Sequence, residues 1–274
     1  MEPLKLFSEM PKYVMMARAS AERMALVLAA PPVAADGRER PAAGGGLDLD
    51  CVRYGSLREL KFTVAAGEFV AIAPYQPRAA ADLASILAVK VPPGAYEGAV
   101  RVSGQELADL SIEAVREHLL VNPYDGEIFA GTLGTNIDPS GTSRMVPEAV
   151  EASMLTDVVA LHREGLDYGV RDRGANLSGG QRQRLSLARA LAADTDILVL
   201  HDPTTSVDAV TEQLIARNIA KLRRDRTTVV ITSSPALLNA ADRVLVLDDG
   251  VITAEDTHRN LLATDQDYCL AVAR

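Results

Sequence analysis

Cysteine is scarce in this chain: Cys51 and Cys269 are the only two in 274 residues. They lie far apart with no metal-type spacing, which excludes a disulfide framework and fits a reducing compartment. Long apolar runs are also missing. A bilayer span needs about 20 apolar residues, and the nearest approach, Met24–Ala35, is broken by Pro31-Pro32. Met1–Pro11 is mixed in charge and lacks the apolar core of a signal peptide. The chain is therefore expected to be soluble by itself. Basic residues are in deficit, 28 Lys and Arg against 37 Asp and Glu, giving a net charge of −9. That balance predicts no nucleic-acid partner. The Arg-rich stretches Arg182–Arg189 and Arg217–Arg226 fall on helical patterns and are expected to be solvated faces. No internal repeat is present. What the chain does have is 48% hydrophobic and 24% charged residues, a globular composition with ample length for a core.

Residues 1–30 read as a helix, because Leu4, Phe7, Met10, Val14, Ala17 and Ala21 recur at three- to four-residue spacing. Pro31–Gly46, with Pro-Pro and Gly-Gly-Gly, reads as a linker. From Leu47 the pattern turns to strands: Leu47–Tyr54 and Leu60–Val64 alternate, while Phe69–Ala73 is a short apolar run suited to a buried parallel strand. A helix is expected over Asp82–Val89, a strand and turn over Val100–Gly104, and helices around Val146–Leu155 and Thr156–Arg163. Further strands are expected at Ile197–Leu200, Thr228–Thr232 and Val244–Leu247, with a helix over about Ala209–Arg223. Asp248-Asp249-Gly250 signals a hairpin. Strands alternating with helices predict an α/β fold with a mainly parallel sheet.

The most informative stretch is Leu177-Ser178-Gly179-Gly180-Gln181-Arg182-Gln183-Arg184. Ser178 can cap a helix, and the two glycines leave the backbone open to a bulky ligand. Leu185, Ala188, Leu191 and Ala192 then form the apolar stripe of that helix. A helix start with bare N–H groups attracts anions, phosphate above all. The string resembles the LSGGQ signature of ATP-binding cassette (ABC) proteins, and the order of parts is similar to the nucleotide-binding domain of ABC exporters over about residues 47–262. The resemblance implies a P-loop NTPase-like (RecA-like) core, an antiparallel β subdomain and an α-helical subdomain at about 125–176. It divides the chain into a helical extension and linker at 1–46, resembling the end of an exporter transmembrane domain, and a cassette at 47–274. A plain helical extension is the alternative for the first part.

The resemblance implies ATP and Mg²⁺, and it also exposes what is missing. Tyr54 matches the aromatic that stacks on adenine, or is a strand tyrosine that packs. Pro74–Asp82 falls where the family has its phosphate-binding loop, which works through glycine N–H groups, a lysine and a Ser/Thr on Mg²⁺. Here Pro74 and Pro77 remove N–H donors. Ala79 replaces the last glycine, Ala80 the lysine and Ala81 the hydroxyl. Arg78 is the one cation nearby, and Asp82 is expected to place a negative charge in the helix's first turn, against a phosphate. His201-Asp202 stands where the family has Asp-Glu, so imidazole replaces a magnesium-holding carboxylate and Asp202 is one methylene short for a general base. Ser233 stands for the γ-phosphate-sensing histidine, and Tyr124 for a glutamine touching water and Mg²⁺. His201 reads as packed rather than as a metal ligand, and His118, His162 and His258 belong to no constellation.

Groups that would act on a neighbour are intact. In the family two such domains pair head to tail, and each signature loop closes over nucleotide held by the other. Leu177, Ser178, Gly179, Gly180 and Gln181 remain, and Asp208 keeps the aspartate of the loop that reaches across the dimer. The leading expectation is an exporter cassette at the cytoplasmic face of a membrane. Its partners would be a second nucleotide-binding subunit and exporter transmembrane domains. A pseudo-ATPase interaction or regulatory module, or the remnant of a truncated transporter, is the alternative.

Overall fold

A computed structural model describes residues 2–29, 37, 39–40, 45–92 and 94–272. It divides into two compact units, residues 1–33 and 34–274. The first holds helix α1 (Glu2–Leu28), which runs through Pro11. Met10, Val14, Met24 and Leu28 on it are all exposed. No helix among the described residues is long and apolar enough to cross a membrane. Most of Pro31–Gly46 lies outside the described residues. Where it is described, Glu39 N–H donates to Asp109 O, and Gly45 N–H donates to Ser103 Oγ at 3.0 Å.

In the second unit the chain runs through β1 (Leu47–Tyr54), β2 (Leu57–Val64), β3 (Phe69–Pro74), α2 (Pro77–Leu87), β4 (Glu97–Val102), β5 (Gln105–Glu106), α3 (Ile112–His118) and β6 (Leu119–Asn122). It continues with β7 (Gly131–Thr132), α4 (Leu133–Ile137), α5 (Val146–Ala152), α6 (Thr156–Leu161), β8 (Gly169–Val170), α7 (Gly179–Ala192), β9 (Ile197–His201) and α8 (Ala209–Leu222). It closes with β10 (Thr227–Ile231), α9 (Pro235–Ala240), β11 (Arg243–Asp248), β12 (Val251–Asp256), α10 (His258–Thr264) and α11 (Gln266–Val272).

Six strands form the main sheet in the order β12-β11-β3-β10-β9-β6, parallel except for β12 at one edge. An antiparallel sheet β2-β1-β4-β5 forms the second layer. The parallel strands are apolar on both faces, and their period of two divides the core. Ala71, Leu198, Leu200, Val230 and Val246 pack on the layer containing α7 and α8. Val70, Ile72, Val199, Val229 and Leu245 pack on α2 and the antiparallel sheet. The α/β fold expected from the sequence is therefore present. The Asp249–Gly250 turn joins β11 to β12 with both residues at positive φ, as an Asp-Gly hairpin requires.

Two expectations are corrected. The helix expected over Asp82–Val89 begins five residues earlier, at Pro77, and ends at Leu87. The fixed φ of proline favours the first helical position, so Pro77 starts the helix as well as removing a donor. Asp82 consequently sits beyond the first turn, which carries no acidic residue. The Arg-rich stretches are not wholly solvated either. Arg223 is 4% exposed and donates to Thr195 O and Thr227 O at 2.8 Å each. Burial holds its guanidinium down to about 10.

Candidate functional site

The carboxyl ends of the parallel strands β3, β9 and β10 lead into part of the predicted set, Pro74–Asp82, His201–Asp202 and Ser233. Between β3 and α2 the connection is two residues, Tyr75 and Gln76. Tyr75 N–H donates to Leu247 O at 3.0 Å. The Gln76 carboxamide bonds the β11–β12 turn twice, donating to Asp248 Oδ1 at 2.7 Å and accepting from Asp249 N–H at 3.1 Å. Ala79 and Ala80 are buried in the core, whereas Arg78 and Ala81 face solvent. Asp82 turns away to the antiparallel sheet, where Oδ2 accepts from Ser56 N–H at 2.8 Å and Ser56 Oγ at 2.7 Å. Tyr54 is half-buried and packs against the same layer. Burial, with Asp265, Asp267 and Asp248 nearby, pushes the Tyr75 hydroxyl up to about 12. One carboxylate, that of Asp248, thus contacts this connection.

At the end of β9, His201 and Asp202 adjoin. His201 Nε2 lies 3.9 Å from Asp202 Oδ2, and its ring centroid lies 6.4 Å from that of Tyr124, which is exposed. Burial lowers the His201 pKa, opposed by Asp202 and Asp125. Burial also raises Asp202 above the ordinary carboxylate range, opposed by a hydrogen bond from Thr232 and by His201. Asp202 has φ 45°, a left-handed backbone rare for a residue with Cβ. Ser233 is exposed one residue past buried Thr232. Among the described residues no His, Cys, Asp and Glu group is placed to hold a metal ion. His118 instead meets Asp196 Oδ2 at 2.6 Å, and His258 meets the Tyr268 hydroxyl at 2.8 Å.

The start of α7 is built locally. Ser178 Oγ accepts from Gln181 N–H at 3.2 Å, and Gln181 Oε1 accepts from Ser178 N–H at 2.8 Å, a reciprocal capping box. Of the first helical amides, those of Gly179 and Gly180 are left for an outside acceptor. Ser178 and Gly179 are exposed, while Leu177 is buried and anchors the turn. Leu185, Ala188, Leu191 and Ala192 are buried, as the apolar stripe required.

Beside this start lies the segment from Pro203 to Asp208. A Cβ on Gly180 would sit 2.7 Å from Ser206 O, so the close approach of the two segments requires glycine there. Asp208 caps its own helix: Oδ1 accepts from Thr211 N–H at 3.0 Å and Val210 N–H at 3.2 Å, and those bonds hold its carboxyl low. A polar cleft of about 550 Å³ opens beside the segment, lined by Asn122, Tyr124, Asp125, Gln183 and Ser206 among others. The structure thus brings Tyr124, Gly179 and Ser206 to one cleft, and leaves Ser233 outside its lining.

Two functional roles escaped the sequence reading. Asp208 caps α8, and an aspartate just before an apolar-striped helix is an N-cap signal. Gln183, which bonds the Asp202–Ser206 segment, had no local signal.

Three comparisons bear on this geometry. A family model described as ABC transporter matches residues 57–205. A multidrug efflux ATP-binding/permease protein of Mycobacterium tuberculosis is 36% identical over 85% of this chain and 20% of that protein. An ATP-dependent lipid A-core flippase of Ralstonia nicotianae is 34% identical over 85% of this chain and 41% of that protein. The solved structure of a bacterial Atm1-family ABC exporter with ATP bound superposes with TM-score 0.86 and 29% identity, covering 100% of this chain and 50% of that one. The chain spans less than half the length of these two curated relatives.

Proposed function

The chain belongs to the ABC transporter family, and from that premise we propose that it is the nucleotide-binding cassette of an exporter whose working ATP site it completes for a partner subunit. The observation that carries this reading is the contrast between two helix starts. That of α7 is exposed, capped by its own serine and rimmed by two glycine amides. That of α2 is reached through a two-residue connection, begins with a proline and is clamped to Asp248 and Asp249 by Gln76.

A triphosphate needs successive free N–H groups, a cation and a hydroxyl for Mg²⁺. The residues at α2 do not fit that group: the lysine and hydroxyl positions are Ala80 and Ala81, and the Asp248 carboxylate is bonded to Gln76 in the connection. Three charge-assisted contacts at about 1.5–3 kcal/mol each amount to about 5–9 kcal/mol, more than three decades of affinity. Arg78 supplies one exposed charge and no cradle. At α7 the Ser178 hydroxyl and the Gly179 and Gly180 amides suit a γ-phosphate held by another chain. ATP and Mg²⁺ then belong to a site shared with a second nucleotide-binding subunit, and transmembrane domains of an exporter would place the pair at the cytoplasmic face of the membrane. ATP hydrolysis belongs to the assembled transporter and is weak or absent in this chain alone.

The test is calorimetric ATP binding to the chain alone, and then ATP turnover with a partner cassette that has an intact phosphate-binding loop. No binding alone, together with turnover of the pair lost on Ser178→Ala or Gly179→Ala, is the expected result. Mg²⁺-dependent turnover by the isolated chain, or a pair indifferent to both substitutions, overturns the reading.

A further inference from the structure

We infer that Gln183 is a positioning residue that locks the signature turn and the Pro203–Asp208 segment into one preformed face, an inference that rests on the trans-acting role proposed above. Gln183 lies one helical turn inside α7, two residues beyond the capping box. Its carboxamide makes three bonds to the neighbouring segment. Nε2 donates to Asp202 O and to Thr205 Oγ1, both at 2.9 Å, and Oε1 accepts from Ser206 N–H at 2.7 Å. The other side of the junction is steric: Gly180 lets Ser206 O approach to where a Cβ would be 2.7 Å away, and Gly179 faces the Ser206 side chain.

These contacts have a directional consequence. Leu177 and Val207 anchor the two segments to the apolar core, and the exposed Ser178, Gly179 and Ser206 between them are tied to one another through the half-buried Gln183 amide. Loops without such ties open at low free-energy cost. A face that meets phosphate on another chain must hold its donors within a few tenths of an ångström before the partner arrives, because misplacement by about 1 Å costs on the order of a hundredfold in rate. Gln183 supplies that order while touching no ligand itself. Asp208, capping α8 at the end of the same segment, fixes its far end.

The experiment uses Gln183→Ala and Gln183→Glu in the full chain. Amide hydrogen exchange is followed at Ser206, with the Leu187–Leu191 amides of α7 as the internal control. Gln183→Ala is expected to speed Ser206 exchange about tenfold and leave the control unchanged. Gln183→Glu keeps the accepting oxygen and is expected to retain Ser206 protection. Turnover is then measured with a half-exporter that keeps an intact phosphate-binding loop and has its own signature serine replaced by alanine. Gln183→Ala should lower kcat about tenfold, and the Gln183→Ala/Ser178→Ala double variant should fall short of the product of the two single losses. Unchanged Ser206 exchange, or strictly multiplicative losses, overturns the inference. Turnover sensitive to Ser178→Ala and indifferent to Gln183→Ala sinks this inference alone. Turnover indifferent to Ser178→Ala sinks the trans-acting reading beneath it.

Discussion

Gly179 and Gly180 are adjacent and identical in sequence, yet replacing each by alanine should not affect stability equally. A Cβ on Gly179 would lie 3.6 Å from Ser206 Cβ, ordinary van der Waals contact. A Cβ on Gly180 would lie 2.7 Å from the Ser206 carbonyl oxygen, a backbone atom that cannot swing aside. Both substitutions restrict the unfolded chain and favour the helix by about 0.4–1 kcal/mol. That gain is common, so the difference between the variants is the packing cost at Gly180 alone. Overpacking of this kind costs about 1–3 kcal/mol. For a unit of this size each kcal/mol moves the midpoint by about 2–4 °C, which separates the two variants by roughly 2–12 °C. Scanning calorimetry of the three proteins at one concentration measures it. Gly179→Ala is expected to melt slightly above the wild type and Gly180→Ala level with it or below. Under the proposed function Gly179→Ala also lowers the pair's turnover, because its methyl group stands where a partner's phosphate would approach. Equal midpoints for the two variants would refute the close approach on which the face depends.

Burial holds the Asp202 carboxyl above its ordinary range, so the folded state binds the proton more tightly and the ionised group costs stability at neutral pH. Asp202→Asn should therefore raise the thermal midpoint at pH 7, with the advantage shrinking as pH falls through the raised pKa and gone below the ordinary carboxylate range. Arg189, whose guanidinium donates to Asn136 O at 2.6 Å, Asn136 Oδ1 at 2.8 Å and Glu127 O at 2.7 Å, stacks 5.2 Å from the Phe129 centroid. Arg189→Met should cost about 2–4 kcal/mol in urea unfolding, and Arg189→Lys should recover less than half, since an ammonium cannot span the fork. Under the proposed function, introducing Pro74→Gly, Pro77→Gly, Ala79→Gly, Ala80→Lys and Ala81→Ser together should bring calorimetric ATP binding to the isolated chain. Adding Gln76→Ser should tighten it further, because the clamp on Asp248 and Asp249 must open before the loop can wrap a phosphate.

The legible parts of this molecule are those whose cause lies within a few residues. The apolar runs of β3, β9 and β11 identify themselves because strands buried on both faces carry little but aliphatic side chains. The start of α7 is equally local, since Ser178 and Gln181 cap each other across three residues. The closure of the α2 loop is another matter. Reading Pro77 as a lost glycine gives the missing donor and misses the earlier helix start, although proline at the first helical position is itself a sequence signal. The clamp that completes the closure joins Gln76 to Asp248 across 172 residues, and nothing local announces it. Gln183 likewise reaches Asp202 only because α7 packs beside the end of β9. Asp82 shows the same limit from the other direction: its charge was legible, while its partner, Ser56, belongs to a turn of the antiparallel sheet. Loss of a phosphate site by substitution alone would leave an open loop with poor donors. Here the connection between β3 and α2 is closed by bonds of its own through Gln76, and under the proposed function the face at α7 is the phosphate-directed surface.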